Sequence, residues 1–204
     1  MNQRLRMQWL VRATLLLSIT ALSVRASAAE QAAPTEQQAR DRRPTFVGTY
    51  GGTAGSSAWR GDPIGLSSLK LGFRFFDFIT PYYLGRLGYA EVNDRSVLTL
   101  SFGVQAGPHL GIARPYVRAS IVHQHEESMA AIKADVGGAL TGVGDGIRHR
   151  SGPEFGLGVD LSIHRERKTE LFGAIEASTL YFPDPRGPSL YVLGSLALGL
   201  NFTL

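Results

Sequence analysis

Apolar and polar residues alternate along most of the chain after position 44, and the period of two indicates β-strands whose two faces meet different surroundings. In the segment SLKLGFRFF, Leu69, Leu71 and Phe73 fall on one face, whereas Lys70 and Arg74 fall on the other. The segments VLTLSFGVQAG and EFGLGVDLSIH alternate in the same way. Each run is about ten residues long, which is the length of a tilted strand that crosses a membrane.

The same alternation, with weaker segments between the clearest ones, predicts eight strands. They cover residues 45–54, 66–76, 81–91, 96–107, 115–124, 152–164, 170–182 and 189–204. The longest connectors, above all residues 125–151, follow odd-numbered strands, so they lie at one end of the assembly and short turns lie at the other. An even number of strands with this arrangement of connectors is typical of outer-membrane β-barrels.

The last segment, SLYVLGSLALGLNFTL, keeps its alternation to the final residue, with Leu196, Leu198 and Leu200 on one face. An uncovered apolar strand at the edge of a sheet invites aggregation. Closure of the last strand onto the first satisfies the backbone groups, and lipid covers the apolar face. We therefore predict an eight-stranded antiparallel up-and-down transmembrane β-barrel over residues 45–204. Five aromatic residues are expected on or close to its lipid-facing side, namely Tyr83, Tyr89, Tyr181, Tyr191 and Phe202.

Residues 1–28 have the form of a secretory signal peptide. Arg4, Arg6 and Arg12 supply a basic beginning, residues 13–24 are mostly apolar, and a triplet of small residues ends at Ala28. We expect cleavage after Ala28 and export, with residues 29–44 forming a flexible, polar lead-in on the periplasmic side.

Removal of this leader leaves a chain of balanced charge. The leader holds four of the 21 Lys and Arg residues and none of the 17 Asp and Glu residues, so 17 of each sign remain. This balance argues against a nucleic-acid-binding protein. The sequence has no cysteine, which excludes disulfide scaffolds, thiol nucleophiles and Cys-ligated metals. We expect no cofactor.

With its leader, its eight alternating segments and its terminal strand, the chain resembles the small outer-membrane β-barrel proteins of Gram-negative bacteria, the OmpA/OmpX-like group. The resemblance implies an outer-membrane location and contact with outer-membrane lipid and lipopolysaccharide. It also implies an assembly signal in the last strand, ending in Phe202 and Leu204, that the barrel-assembly machinery recognises. Many members end in Phe or Trp, and Leu204 departs from that pattern. The resemblance specifies architecture rather than activity, and we expect a non-enzymatic protein.

The polar face of the strands is expected to fill the lumen. It carries seven charges of nearly balanced sign, namely Lys70, Arg74, Arg86, Arg118, Glu154, Asp160 and Glu176. An eight-stranded barrel is just wide enough for its side chains to fill it, and an unpaired buried charge costs several kcal/mol. We therefore predict a lumen plugged by ion pairs rather than a porin-like pore.

The long third outer connector, residues 125–151, is expected to contact the environment or an envelope protein partner. His123, His125 and His149 lie in or beside it, and imidazole is a good ligand for Zn²⁺. Their spacing matches no specific metal motif, so we expect no metal site and name these three as the candidates for one.

His149 and Ser151 have the His-x-Ser spacing of the outer-membrane lipid A deacylases, which this stretch resembles. In that family a His activates the Ser and a Glu orients the His. The alternation places no acid beside the pair here, so we expect no catalytic residues.

Two other functions remain open from the sequence. One is a lipid A deacylase-like enzyme that uses His149 and Ser151. The other is a soluble exported barrel of the lipocalin type, with its apolar face turned inward around a ligand, because periodicity does not say which face is outside.

Overall fold

The computed structural model describes residues 43–58, 61–137, 146–184 and 187–204. The strands are β1 (Thr45–Ser57), β2 (Pro63–Arg74), β3 (Ile79–Ala90), β4 (Arg95–Ala106), β5 (Ala113–Ser128), β6 (Arg148–Arg165), β7 (Thr169–Tyr181) and β8 (Leu190–Thr203), and a short helix, α1 (Met129–Ala134), follows β5. Within these ranges no helix is long and apolar enough to cross a membrane. The predicted signal peptide, residues 1–28, lies outside the described residues, as does the predicted lead-in apart from positions 43 and 44.

The strands form one closed sheet. Each strand pairs antiparallel with its neighbours in sequence, and β1 pairs with β8. The closing register runs from Thr45 opposite Thr203 to Ser57 opposite Tyr191, so the apolar last strand has no free edge over that length. Closure pairs the backbone groups that an open edge would leave unsatisfied. The predicted eight-stranded antiparallel up-and-down barrel is confirmed.

The two ends of the barrel differ in their connectors. At one end, which we call the turn end, residues 75–78, 107–112 and 166–168 join the strands. At the opposite end, the loop end, the connectors are residues 58–62, 91–94, 129–147 and 182–189. The longest connector lies at the loop end, in agreement with the prediction that the longest connectors share one end of the barrel and short turns close the other.

The strands β5 and β6 extend farther toward the loop end than predicted. His125 and His149 lie in these paired strands instead of in the predicted connector. The connector proper begins with α1, which is capped by Ser128 Oγ accepting a hydrogen bond from the Ala131 backbone N–H at 3.2 Å. The prediction ended both strands early because both of their faces are polar here, so the hydropathy contrast on which it relied disappears.

The outer face of the barrel is apolar. Leu196 and Leu198 on β8 are 65% and 62% exposed, and Phe155 on β6 is 60% exposed. Glu154 and Gly156, which flank Phe155, point inward and are buried. A barrel of the lipocalin type would turn the apolar face inward, so that alternative is wrong.

Inward-facing glycines make room for large side chains in the lumen. A Cβ atom on Gly158 would lie 2.4 Å from the Tyr116 ring, and one on Gly156 would lie 2.9 Å from Arg118 Nε. The alternation of glycine with apolar residues in β6 therefore lets Tyr116 and Arg118 of the neighbouring strand cross the lumen.

Candidate functional site

A buried carboxylate inside the barrel lies between two arginines. Glu154, on β6, accepts two hydrogen bonds from Arg86 of β3, at 2.7 and 3.2 Å, and one from Arg118 of β5 at 2.5 Å. Arg118 also donates to both oxygens of Glu176, on β7, at 2.6 and 2.8 Å. We call these four residues the central network. Its two positive and two negative charges balance, and mutual pairing is what makes buried charges tolerable.

Lys70 and Tyr116 pack against the central network. Lys70 Nζ donates to Gln105 Oε1 at 2.9 Å and lies 5.2 Å from the centre of the Tyr116 ring, within the range of a cation–π contact. Tyr116 Oη donates to Glu176 at 3.1 Å. These contacts extend the polar network around the lumen without adding an unpaired acid.

Arg74 and Asp160 form a looser pair toward the turn end. Arg74 Nη2 lies 3.8 Å from Asp160 Oδ2, and Arg74 Nη2 and Asp160 Oδ1 are buried without a hydrogen-bond partner among the described residues. Arg114 donates to the carboxylate and to the carbonyl of Asp77, both at 2.7 Å. A cavity of about 160 Å³ lies beside these residues. The structure thus places all seven charges predicted for the lumen inside the barrel, with the tightest pairing in its middle.

A further ion-pair network, which the sequence analysis missed, lies at the loop end. Glu126, on β5, accepts hydrogen bonds from three arginines. Asp62 accepts from one of these arginines and, at 2.8 Å, from a tyrosine hydroxyl. The members of this loop-end network are Asp62, Arg95, Glu126, Arg148, Arg150 and Tyr191.

The prediction that Tyr191 lies near the lipid is wrong. Tyr191 points to the opposite side of β8 from its neighbour Val192, which is exposed on the outer face. The Tyr191 side chain lies inside the barrel, and the residue is only 2% exposed. Most of the other members were missed because they lie in stretches interpreted as connectors. The sequence did offer a signal for two of them. If the alternation of inward and outward positions in β5 and β6 is continued past the predicted strand ends, Glu126 and Arg150 fall on the inward faces.

Between the two networks the lumen holds an apolar layer. On β4 the inward positions run from Arg95 at the loop end through Val97 and Thr99 to Ser101, which hydrogen-bonds Glu154 at 3.4 Å. The residues of the layer are Ile64, Leu66, Ala90, Val97, Val122, Leu180, Phe182, Leu193 and the ring of Tyr191, whose hydroxyl group belongs to the loop-end network. The interior is therefore a sequence of polar and apolar layers rather than one polar column.

On the outer wall near the loop end, three histidine side chains converge. His123 and His125 lie on the outward face of β5, and His149 lies opposite His125 on β6. A ring nitrogen from each lies within 4.8 Å of those from the other two. His123 Nε2 and His149 Nδ1 are 3.4 Å apart. The structure thus brings together the three residues that the sequence named as metal candidates.

Ser151, named with His149 as a catalytic candidate, pairs with His123 instead. Ser151 Oγ lies 2.8 Å from His123 Nδ1, across the pairing of β6 with β5. The other ring nitrogen of His123 faces His149, so in the described part of the chain no carboxylate hydrogen-bonds this imidazole. A Ser–His pair is therefore present without the acid that orients the imidazole in catalytic triads.

No protein-family model matches the chain, and no curated protein matches its sequence. Solved structures do match it. Neisserial surface protein A aligns with a TM-score of 0.54 and 12% identity over 79% of this chain and 97% of its own. The N-terminal β-barrel domain of Pseudomonas aeruginosa OprF aligns with a TM-score of 0.56 and 14% identity over 79% of this chain and 98% of its own. The chain therefore has the fold of the small eight-stranded outer-membrane β-barrel proteins.

Proposed function

We propose that this protein is an integral outer-membrane protein without enzymatic activity, whose lumen is plugged and whose loop end faces the cell exterior. The observation that carries the proposal is the distribution of side chains across the barrel wall. Large apolar side chains are exposed on the outside and charged side chains are buried on the inside, which is the reverse of a water-soluble protein. In water this arrangement would leave the apolar face hydrated at a high cost in free energy. In a bilayer the same face contacts acyl chains.

The connectors support the proposed orientation. Outer-membrane barrels have short periplasmic turns and longer outer loops, so the loop end, where the connector after β5 begins, faces outward in this proposal. That connector then provides the surface for environmental or partner contacts, and the outer wall below it meets lipopolysaccharide.

Export through a leader at residues 1–28 and delivery to the barrel-assembly machinery belong to the same proposal. Phe202 and Leu204, the predicted assembly signal, are 40% and 53% exposed at the turn end of β8.

The packing inside the barrel supports a closed lumen. A cavity next to the central network, lined in part by Thr49, Lys70 and Glu176, has a volume of about 30 Å³. A space of this size holds no more than a few water molecules. The apolar layer and the loop-end network lie in series with the central network, so an ion would have to displace paired side chains at several levels.

We expect the protein, reconstituted in planar lipid bilayers, to give no ion conductance above that of a protein-free bilayer. The reason is that, in the proposed plug, paired side chains fill a lumen that is just wide enough to hold them. A general porin reconstituted in the same way provides the positive control. Discrete conductance steps from the unmodified protein would overturn the plugged-lumen proposal while leaving the membrane location intact.

The 2.8 Å contact between His123 and Ser151 supports a second candidate function, an acyl hydrolase that acts on outer-membrane lipid. Ser151 would be its nucleophile and His123 its base, which replaces the pairing of His149 with Ser151 considered from the sequence. The missing carboxylate makes this candidate weaker than the non-enzymatic one.

We expect lipid A from cells that express the protein to keep its full set of acyl chains. Mass spectrometry of lipid A from cells with the wild-type chain, with Ser151→Ala and with no protein provides the comparison. Loss of an acyl chain that depends on Ser151 would replace the non-enzymatic proposal by the hydrolase.

A further inference from the structure

We propose that His123, His125 and His149 form a Zn²⁺ site on the outer wall of the barrel. The site lies on the outward faces of β5 and β6 and shares no residue with the networks that fill the lumen. The inference is therefore independent of whether the lumen conducts, and it adds a ligand to the proposed function.

The distances between ligand atoms fit a tetrahedral ion. With Zn–N distances of about 2.0–2.1 Å, two nitrogen ligands of a tetrahedral site are about 3.4 Å apart. His123 Nε2 and His149 Nδ1 have that separation, at 3.4 Å, before any ion is considered. One ring nitrogen from each of the three histidines lies within 4.8 Å of the other two, so His125 stands close enough to supply the third ligand.

The backbone fixes the three positions. His123 and His125 are two residues apart on one strand and so share a face, and His149 is the register partner of His125. Directly opposed residues of an antiparallel pair hold their Cβ atoms about 4.5–5.5 Å apart. The sheet therefore presents the three imidazoles together without any loop rearrangement.

Ser151 supplies the outer contact that a metal-binding histidine ordinarily has. A ligating imidazole donates its second N–H to a nearby oxygen, which sets the tautomer and the orientation of the ring. When His123 Nε2 binds the ion, its Nδ1–H donates to Ser151 Oγ at 2.8 Å. The same contact that suggested a hydrolase thus has a direct role in a metal site.

The surroundings favour a bound ion over three free imidazoles. Three imidazoles that converge on one point can offer a nitrogen lone pair each to a single shared cation. His149 is exposed, so an ion can reach the cluster from solvent. Imidazole ligands suit Zn²⁺, and three of them leave one of its four positions open to water.

The test is a Zn²⁺ titration of the detergent-purified protein, made without a polyhistidine tag, in competition with a chromophoric chelator. We expect one Zn²⁺ per chain. Loss of an outer contact costs about 10–100-fold in metal affinity, so we expect at least about 10-fold weaker binding for Ser151→Ala and at least about 100-fold for His149→Gln. The matched control is His164→Gln, which removes an exposed histidine from the same strand, 67% exposed in its side chain, and is expected to leave binding unchanged.

Folding of each variant is checked by its heat-dependent mobility on gels, and the substituted side chains lie outside the packed lumen. A second readout is the visible absorption of Co²⁺, which is intense only for tetrahedral coordination. It is expected for the wild type, for His164→Gln and, at saturating Co²⁺, for Ser151→Ala, which keeps all three imidazoles, but not for His149→Gln. The proposal is overturned if the wild type binds no stoichiometric Zn²⁺, or if folded His149→Gln binds it as tightly as the wild type.

Discussion

Replacement of Glu154 by Gln is expected to lower the free energy of unfolding by about 3–5 kcal/mol, which is the cost of leaving a buried charge without its partner. Glu154 is 0% exposed and accepts hydrogen bonds from both Arg86 and Arg118. Arg118 keeps Glu176 in the variant. Arg86 keeps no carboxylate, and it is only 2% exposed.

Urea titration of the protein in lipid vesicles, followed by the gel shift of the folded barrel, measures this effect. The matched control is Glu166→Gln, an exposed acid in the turn between β6 and β7, with an expected change within about 0.5 kcal/mol. The double variant Arg86→Met with Glu154→Gln removes one charge of each sign and is expected to recover a large part of the loss. If Glu154→Gln has the same midpoint urea concentration of unfolding as the wild type, the central network does not stabilise the barrel.

Replacement of Leu198 by Arg is expected to lower the free energy of unfolding in a bilayer by about 2–4 kcal/mol, because a charge at mid-depth on the lipid face loses its hydration. Leu198 is 62% exposed and lies near the middle of β8, opposite Tyr50 of β1 and Gly173 of β7. On a surface in contact with water, the same substitution would change stability by no more than about 0.5 kcal/mol.

The apolar substitution Leu198→Met is the control, and its unfolding is expected to match that of the wild type closely. Equal stability of Leu198→Arg and Leu198→Met in lipid vesicles would show that this face of the barrel meets water. That result would contradict the proposed membrane location itself. Wild-type stability of the Glu154→Gln variant, in contrast, would contradict only the proposed role of the ion pairs in the lumen.

The limits of prediction from the sequence are clearest at β5 and β6. Hydropathy contrast located the parts of these strands that face lipid, because there one face is apolar and the other is not. Beyond Ile121 the outward positions of β5 become His123 and His125, while Gln124 and Glu126 remain inward. Both faces are then polar, and the pattern no longer distinguishes a strand from a loop.

The pairing of the lumen charges illustrates a second limit. The apolar–polar alternation predicted that these charges face the lumen. It did not predict their partners, because Arg86 and Glu154, for example, belong to strands that are not neighbours in the sheet. Which charges meet across the lumen depends on the tilt and stagger of the closed sheet. Neither quantity is encoded in the alternation of a single strand.

Local patterning was thus sufficient for the number of strands, their antiparallel order and the assignment of most side chains to one face or the other, because each of these follows from a period of two along the chain. The partners of Glu154 and Glu126, the apolar layer between them and the meeting of His149 with His123 emerged only from the closed barrel. Those contacts join residues far apart in the chain, and it is the register between strands, fixed when the whole sheet closes, that brings them within bonding distance.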